Sequence, residues 1–258
     1  MEFVDTHAHL NFEDFRDDWE SVVERAGAAG VSVIVVVGID LKSSQKACQM
    51  AACHPAVYAS IGIHPSLAND ISGIDLKQIG TALMSLSRNA KVVAIGEIGL
   101  DYHQPQISVP MQKELLTMQV SLAKKLSLPI LVHVRGAQSD ILPTLHQASG
   151  GRFPKGVFHC FSGSKQYLSD VVSSGFFISF TSTITYSHGV SRRSVDVPLE
   201  RLLLESDAPF MSPVALRGQR NEPISVTIIA EQHAKLRRIQ LSKVASQTTK
   251  NAKLLFRI

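Results

Sequence analysis

Cysteine is scarce in this 258-residue chain, present only as Cys48, Cys53 and Cys160. So few, at irregular spacing, exclude a disulfide framework and fit a reducing compartment. No apolar run approaches the roughly 18 residues of a membrane-spanning helix. No run of lysine and arginine exceeds two residues, so there is no basic tail. The first residues carry Glu2 and Asp5 without a basic segment or a long apolar stretch, and do not read as an export signal. The cytoplasm is the expected location, with no membrane contact. Low-complexity tracts, an obvious internal repeat and an interdomain linker are missing too, and a single domain over residues 1–258 is expected.

What is present is core material. Hydrophobic residues make up 45% of the chain, enough for a large core. The net charge of +4 is unevenly spread. Residues 1–100 hold seven Lys/Arg against twelve Asp/Glu, and residues 101–258 hold nineteen against ten. That tilt suits a polyanion on part of the surface, and equally suits ordinary solvated helix faces.

Apolar, β-branched runs recur at 2–9, 33–38, 57–62, 92–97, 129–134, 156–160, 176–180 and 201–206. Several are continuously apolar, the pattern of strands covered on both faces. Helical spacing fills the gaps, at 18–30, 43–55, 75–87, 110–129, 139–150, 162–175, 223–236 and 243–256. Pro143 is expected in a first turn. Eight strands alternating with helices predict an α/β fold, a (β/α)8 TIM barrel. A doubly wound open sheet is the alternative.

The polar residues fall at strand ends. Asp5, His7 and His9 alternate in VDTHAHL, and a strand would point all three to one face. His64 follows the third strand, Glu97 ends the fourth, His133 lies near the end of the fifth, His159 ends the sixth, and Asp207 follows the eighth. In a barrel these reach one mouth. Imidazoles and carboxylates gathered there repel or go unsatisfied without a cation. Their chemistry admits Zn2+, Mn2+ or Mg2+, with ligands enough for two ions and Glu97 as the carboxylate shared between them. Cys160, next to His159, is expected to point away and pack. His54, before Pro55, reads as a helix-end cap or an exposed residue, His146 and His233 read as structural, His103 as a residue near the mouth, and His188 has no assigned place.

The ordered motifs DTHAHL (5–10), GIHP (62–65), IGEIGLDYH (95–103), LPILVHVR (128–135), FHCFSG (158–163), ESDAPF (205–210) and RNEP (220–223) resemble the TatD-family metal-dependent deoxyribonucleases, within the amidohydrolase-like barrels. The resemblance runs from residue 2 to 256. It implies His7, His9 and Asp207 as ligands of one metal, His133 and His159 as ligands of the second, and Glu97 as the bridge. Asp207 would also orient or deprotonate the attacking water, so Asp207 and Glu97 are the catalytic pair. His64 would lie near the substrate phosphate. Three features depart from the family: the loop at 179–189, Ser206 where relatives commonly have Thr, and Phe210 where they commonly have Tyr.

The expected activity is hydrolysis of phosphodiester bonds by a hydroxide activated at a binuclear divalent metal site. The substrate would be single-stranded or frayed DNA, with RNA as a further possibility, cut from the 3′ end by a monomer. DNA repair is among the roles proposed for such proteins. Arg135, Arg217 and Arg220 are the phosphate-contact candidates, since arginine matches phosphate bidentately; for the loop arginines a salt bridge is the competing reading. Tyr102, Phe161 and Tyr186 are candidates to stack on a base, and Asn221 and Glu222 to order their loop. The alternatives are a metal-dependent hydrolase of an aminoacyl-RNA ester or small amide or lactone, and a non-enzymatic nucleic-acid binder.

Overall fold

The computed structural model describes residues 1–71, 73 and 75–258. Eight parallel strands form one sheet in sequential order: β1 (Phe3–Ala8), β2 (Val31–Val37), β3 (Val57–Ile61), β4 (Val92–Asp101), β5 (Ile130–Arg135), β6 (Gly156–Phe158), β7 (Phe177–Phe180) and β8 (Leu202–Leu204). Helices α1 (Trp19–Ala28), α2 (Leu41–Cys53), α3 (Leu76–Leu86), α4 (Val109–Leu126), α5 (Gln138–Ala148), α6 (Lys165–Ser173), α7 (His188–Val195) and α8 (Ser225–Arg237) follow the strands in turn, and α9 (Leu241–Phe256) ends the chain. This is the (β/α)8 barrel. Between β8 and β1 the closure is made by single links. Thr6 Oγ1 donates to the Leu204 carbonyl (2.9 Å), Asp207 N–H to His7 O (2.9 Å) and His9 N–H to Ala208 O (2.7 Å).

Val4, Val35, Val93, Leu131, Val157, Phe177 and Leu203 form one buried cluster, and Leu255 and Phe256 of α9 pack into it. The final helix therefore covers the barrel end opposite the strand C-termini. A larger apolar layer lies between strands and helices. Several helix starts are capped as their sequence requires. Asp40 and Ser43 form a reciprocal capping box on α2, and Ser108 caps α4 ahead of Pro110.

Three local features differ from the sequence reading. Residues 188–195 form α7, with His188 as its first residue. Pro143 sits inside α5, not in its first turn. The Ser139 carbonyl it leaves unpaired lies on an exposed part of the helix, where water can serve it. Strand β4 runs four residues further, to Asp101. Gly99 permits this: its φ is +152°, and a Cβ there would drive into the His133 carbonyl.

His233 on α8 is fully buried beside Phe180, and neither ring nitrogen has a partner. Burial, aided by the charge of Arg237, pushes its pKa down to about 3. The unfolded chain binds this proton near the ordinary value of about 6.5. Stability from the neutral ring is thus complete above pH ~6.5 and is lost as pH falls towards 3. His233→Leu is expected to flatten that acid loss by on the order of 4 kcal/mol between pH 7 and pH 3. Urea unfolding midpoints across that range check it; parallel curves for the two proteins would contradict it.

Candidate metal centre

The C-terminal strand ends bring His7, His9, His64, Glu97, His133, His159 and Asp207 into one cleft of about 430 Å3 or directly against its lining. Glu97 reaches the middle because β4 bulges: Ile95 pairs with Ile130, but Ile98 pairs with Val132. The extra residue aims the carboxylate inward. Gly96 beside it is pressed on Leu131 of β5, where a side chain would not fit.

The two oxygens of Glu97 face different partners. Oε2 lies 3.5 Å from His7 Nε2 and 3.7 Å from His9 Nε2. Oε1 lies 2.9 Å from His133 Nδ1, 2.8 Å from His159 Nε2 and 3.4 Å from His64 Nε2. Asp207 Oδ1 completes the first group, 3.6 Å from His7 Nε2 and 3.5 Å from His9 Nε2. His7 and His9 place their Nε2 atoms 3.1 Å apart. Donor atoms sharing one tetrahedral ion at 2.0–2.1 Å stand about 3.3 Å apart. The observed separations bracket that value, so the donor set fits divalent cations. His7, His9 and Asp207 form one group able to hold an ion, and the ring and carboxylate atoms of His64, Glu97 and His133 lie as close together on the other side.

Electrostatics follow from the packing. Burial works against charge on Glu97, but the imidazoles of His159, His64 and His133 outweigh it and hold its pKa well below the usual range. Burial also opposes charge on Asp207, yet His9 and His7 lower its pKa. Burial, reinforced by His159, pushes His7 down to about 4. His159 goes the other way: burial is overcome by Glu97, Glu205 and Asp207, and its pKa rises to about 9.

A second tier of acceptors stands behind the imidazoles. His9 Nδ1 meets the Val37 carbonyl at 3.1 Å, His133 Nε2 faces Asp101 at 3.5 Å, and His159 Nδ1 faces Glu205 at 3.8 Å. Glu205 is fully buried and accepts from Ser179 Oγ (2.8 Å) and the Cys160 N–H (2.5 Å). The sequence reading missed Asp101 and Glu205 as site groups, although both stand inside quoted motifs, GLD and ESD. Asp5 does not join the inner cluster. Its carboxylate accepts from Ser206 N–H (2.9 Å), Ser206 Oγ (2.6 Å) and His7 N–H (3.2 Å). Position 206 thus uses a hydroxyl, which serine and threonine both supply.

His64 is held differently from the other histidines. Its Nδ1 accepts the Ser66 backbone N–H at 3.1 Å and faces Ser66 Oγ at 2.7 Å. A backbone N–H can only donate, so the proton of the neutral ring sits on Nε2. That nitrogen points at Glu97 as a hydrogen-bond donor, without a free lone pair for a cation.

The arginines divide. Arg135 lines the cleft from the exposed end of β5. Arg217 is exposed, its guanidinium 5.8 Å from the Tyr186 ring centroid. Arg220 is not brought to the mouth. It pairs with Asp18 (2.7 Å) and Glu222 (2.9 Å) and covers the Phe15 ring at 4.3 Å. Its pairing capacity is spent on fastening the loop to α1, together with Arg25, which also binds Glu222. Asn221 is buried and holds the Ser206 and Phe210 carbonyls (2.8 and 2.7 Å).

Other residues shift from their expected places. Cys160 lines the cleft instead of pointing away. Its φ of +43° breaks the strand alternation, and its sulfur lies 3.6 Å from Met211 Sδ. Burial, then Asp207 and Glu205, raise the thiol pKa well above normal, which keeps it protonated and a poor nucleophile. Gln104, and not His103, lines the cleft. Tyr102 donates to Asp140 (3.0 Å), and Phe161 is buried on Tyr167, so of the three stacking candidates only Tyr186 is exposed at this rim.

Comparison with known proteins follows the same lines. The family model described as TatD related DNase matches residues 4–257. The chain is 42% identical over 256 residues to the uncharacterized metal-dependent hydrolase YabD of Bacillus subtilis (strain 168), covering 98% of each. It is 33% identical over 262 residues to a protein of Erwinia tasmaniensis named 3′-5′ ssDNA/RNA exonuclease TatD, covering 98% of this chain and 99% of that one. The crystal structure of YjjV, the TatD homolog from Escherichia coli K12, matches with a TM-score of 0.90 at 34% identity, over 99% of this chain and 98% of that one.

Proposed function

The chain belongs to the TatD-related DNase family of metal-dependent hydrolases, and on that premise we propose that it removes nucleotides from the 3′ end of single-stranded or frayed DNA, and of RNA, at a binuclear divalent metal site. The observation that carries this reading is the division of Glu97 between two donor groups, His7, His9 and Asp207 on one side and His133 and His159 on the other. A carboxylate can hold two cations at once because it has two oxygens. Mg2+, Mn2+ and Zn2+ all suit these ligands. Bound divalent cations supply Lewis acidity to the phosphate and acidify water.

The protein's own groups supply the rest. Asp207, kept ionised by His9 and His7, accepts the proton of the attacking water. His64 would turn its Nε2–H from Glu97 to a non-bridging phosphate oxygen, which draws charge as the bond to phosphorus forms. Arg135 at the rim offers a bidentate contact to the next phosphate. Arg217, exposed beside Tyr186, is a further phosphate contact in this reading. Arg220 keeps the loop in place. The three free cysteines support a reducing, cytoplasmic setting. Among the described residues no helix is long and apolar enough to cross a membrane.

The test is release of nucleotides from a 3′-labelled oligonucleotide by purified protein after chelation and re-addition of Mg2+, Mn2+ or Zn2+. Metal-dependent release is expected. Failure across all three metals, on DNA and RNA alike, would refute the nuclease reading. Glu205→Gln removes the charge behind His159 and is expected to weaken metal binding by about 10–100-fold. Titration with Mn2+ followed by electron paramagnetic resonance measures this directly, and unchanged affinity would deny Glu205 its supporting role.

A further inference from the structure

We propose that Phe210, backed by Phe12 and followed by Met211 on the cleft lining, is the platform on which an unpaired nucleobase of the substrate stacks. This rests on the nuclease reading and names the residue that selects for a strand carrying bases. Eight large hydrophobic side chains are exposed among the described residues, and four of them, Tyr186, Phe210, Met211 and Val214, belong to the loops after β7 and β8. Phe210 is 49% exposed. Apolar surface gathered at the rim of a polar cleft marks a contact surface.

The platform is continuous with the metal centre. The Phe12 ring stacks on His9 at 4.5 Å between centroids, and Phe210 makes T-shaped contacts with both Phe12 and His9 at 6.1 Å. One aromatic wall therefore leads from a candidate ligand out to solvent. It is also fixed in place. The Phe210 N–H donates to the Asp207 carbonyl (2.9 Å), and buried Asn221 donates to the Phe210 carbonyl (2.7 Å). Met211 is held by Thr181 Oγ1 at 3.4 Å and Cys160 Sγ at 3.6 Å. An exposed ring on a rigid backbone costs little entropy when a flat partner lands on it. Arg217 over Tyr186 adds a cation for the neighbouring phosphate. An apolar ligand of another kind would leave that cation and Arg135 unused. A base joined to a phosphate uses both.

The test compares an eight-residue single strand with strands carrying one abasic residue at each of the last three 3′ positions. Phosphorothioate linkages protect the strands during affinity measurement by fluorescence anisotropy, and unmodified strands report nucleotide release. For the wild-type protein with Mn2+, one abasic position is expected to weaken binding on the order of tenfold. Phe210→Ala is expected to show a similar loss on the complete strand and no further loss from the abasic residue. Phe210→Trp is expected to restore base dependence. Release by the wild-type protein together with equal affinity of Phe210→Ala and wild type on every strand would overturn the platform and leave the nuclease reading standing. A Phe210-dependent dimer in sedimentation, with no base dependence, would assign the patch to a second copy and overturn it as well. A wild-type protein that neither cuts nor binds any strand would remove both readings together.

Discussion

Glu97→Ala is expected to reduce turnover by about 10³-fold or more while the circular dichroism spectrum stays that of the wild type. The side chain sits at the centre of the cluster, within 3.7 Å of five imidazole nitrogens. Without it the two donor groups share no anion, and positively charged ions brought to both sides would face one another unscreened. Metal content should fall together with activity, so elemental analysis of the purified variant is the second readout. Near-wild-type turnover, or full metal content with no loss of rate, would show that Glu97 does not join the two groups.

Asp207→Asn should separate binding from chemistry. The amide keeps the shape and one oxygen ligand but cannot take a proton at neutral pH. A loss in kcat of about 10²–10⁴-fold is expected, the usual cost of a missing general base, with KM little changed. Metal content should fall far less than in the Glu97 variant. The backbone around Asp207 should hold, because its N–H pairs with the His7 carbonyl and Asn221 braces the turn behind it. A variant with wild-type kcat would place the proton acceptor elsewhere. One with a raised KM and intact kcat would make Asp207 a substrate contact.

Much of this architecture can be read from residue order. Parallel strands buried on both faces are written as continuous apolar runs, and the eight runs map onto eight strands with small boundary shifts. Ionisable residues at the ends of those runs mark one rim because a barrel sends every strand end to the same side. What stayed hidden depends on partners distant along the chain. The charge of Arg220 was evident, but its use was not, because Asp18 lies 202 residues away. Cys160 faces the cleft through a positive φ that no spacing rule announces. Glu205 looked like the tail of an apolar run until β6 and β7 set Cys160 and Ser179 against it. The bulge that turns Glu97 inward is a matter of register between two strands. Its only trace in the sequence is a pair of glycines, Gly96 and Gly99, at the positions where β5 comes closest.

The links that shut the barrel join residues about two hundred positions apart, from Thr6 to Leu204 and from Asp5 to Ser206. Two of the inner imidazoles, His7 and His9, stand on or just beyond the first strand, and the carboxylate opposite them, Asp207, follows the eighth. Without that last strand in place, Asp207 is not set against His7 and His9. Closing the barrel and gathering the donor set are therefore one event, and a molecule whose last strand has not docked on its first lacks half of the centre.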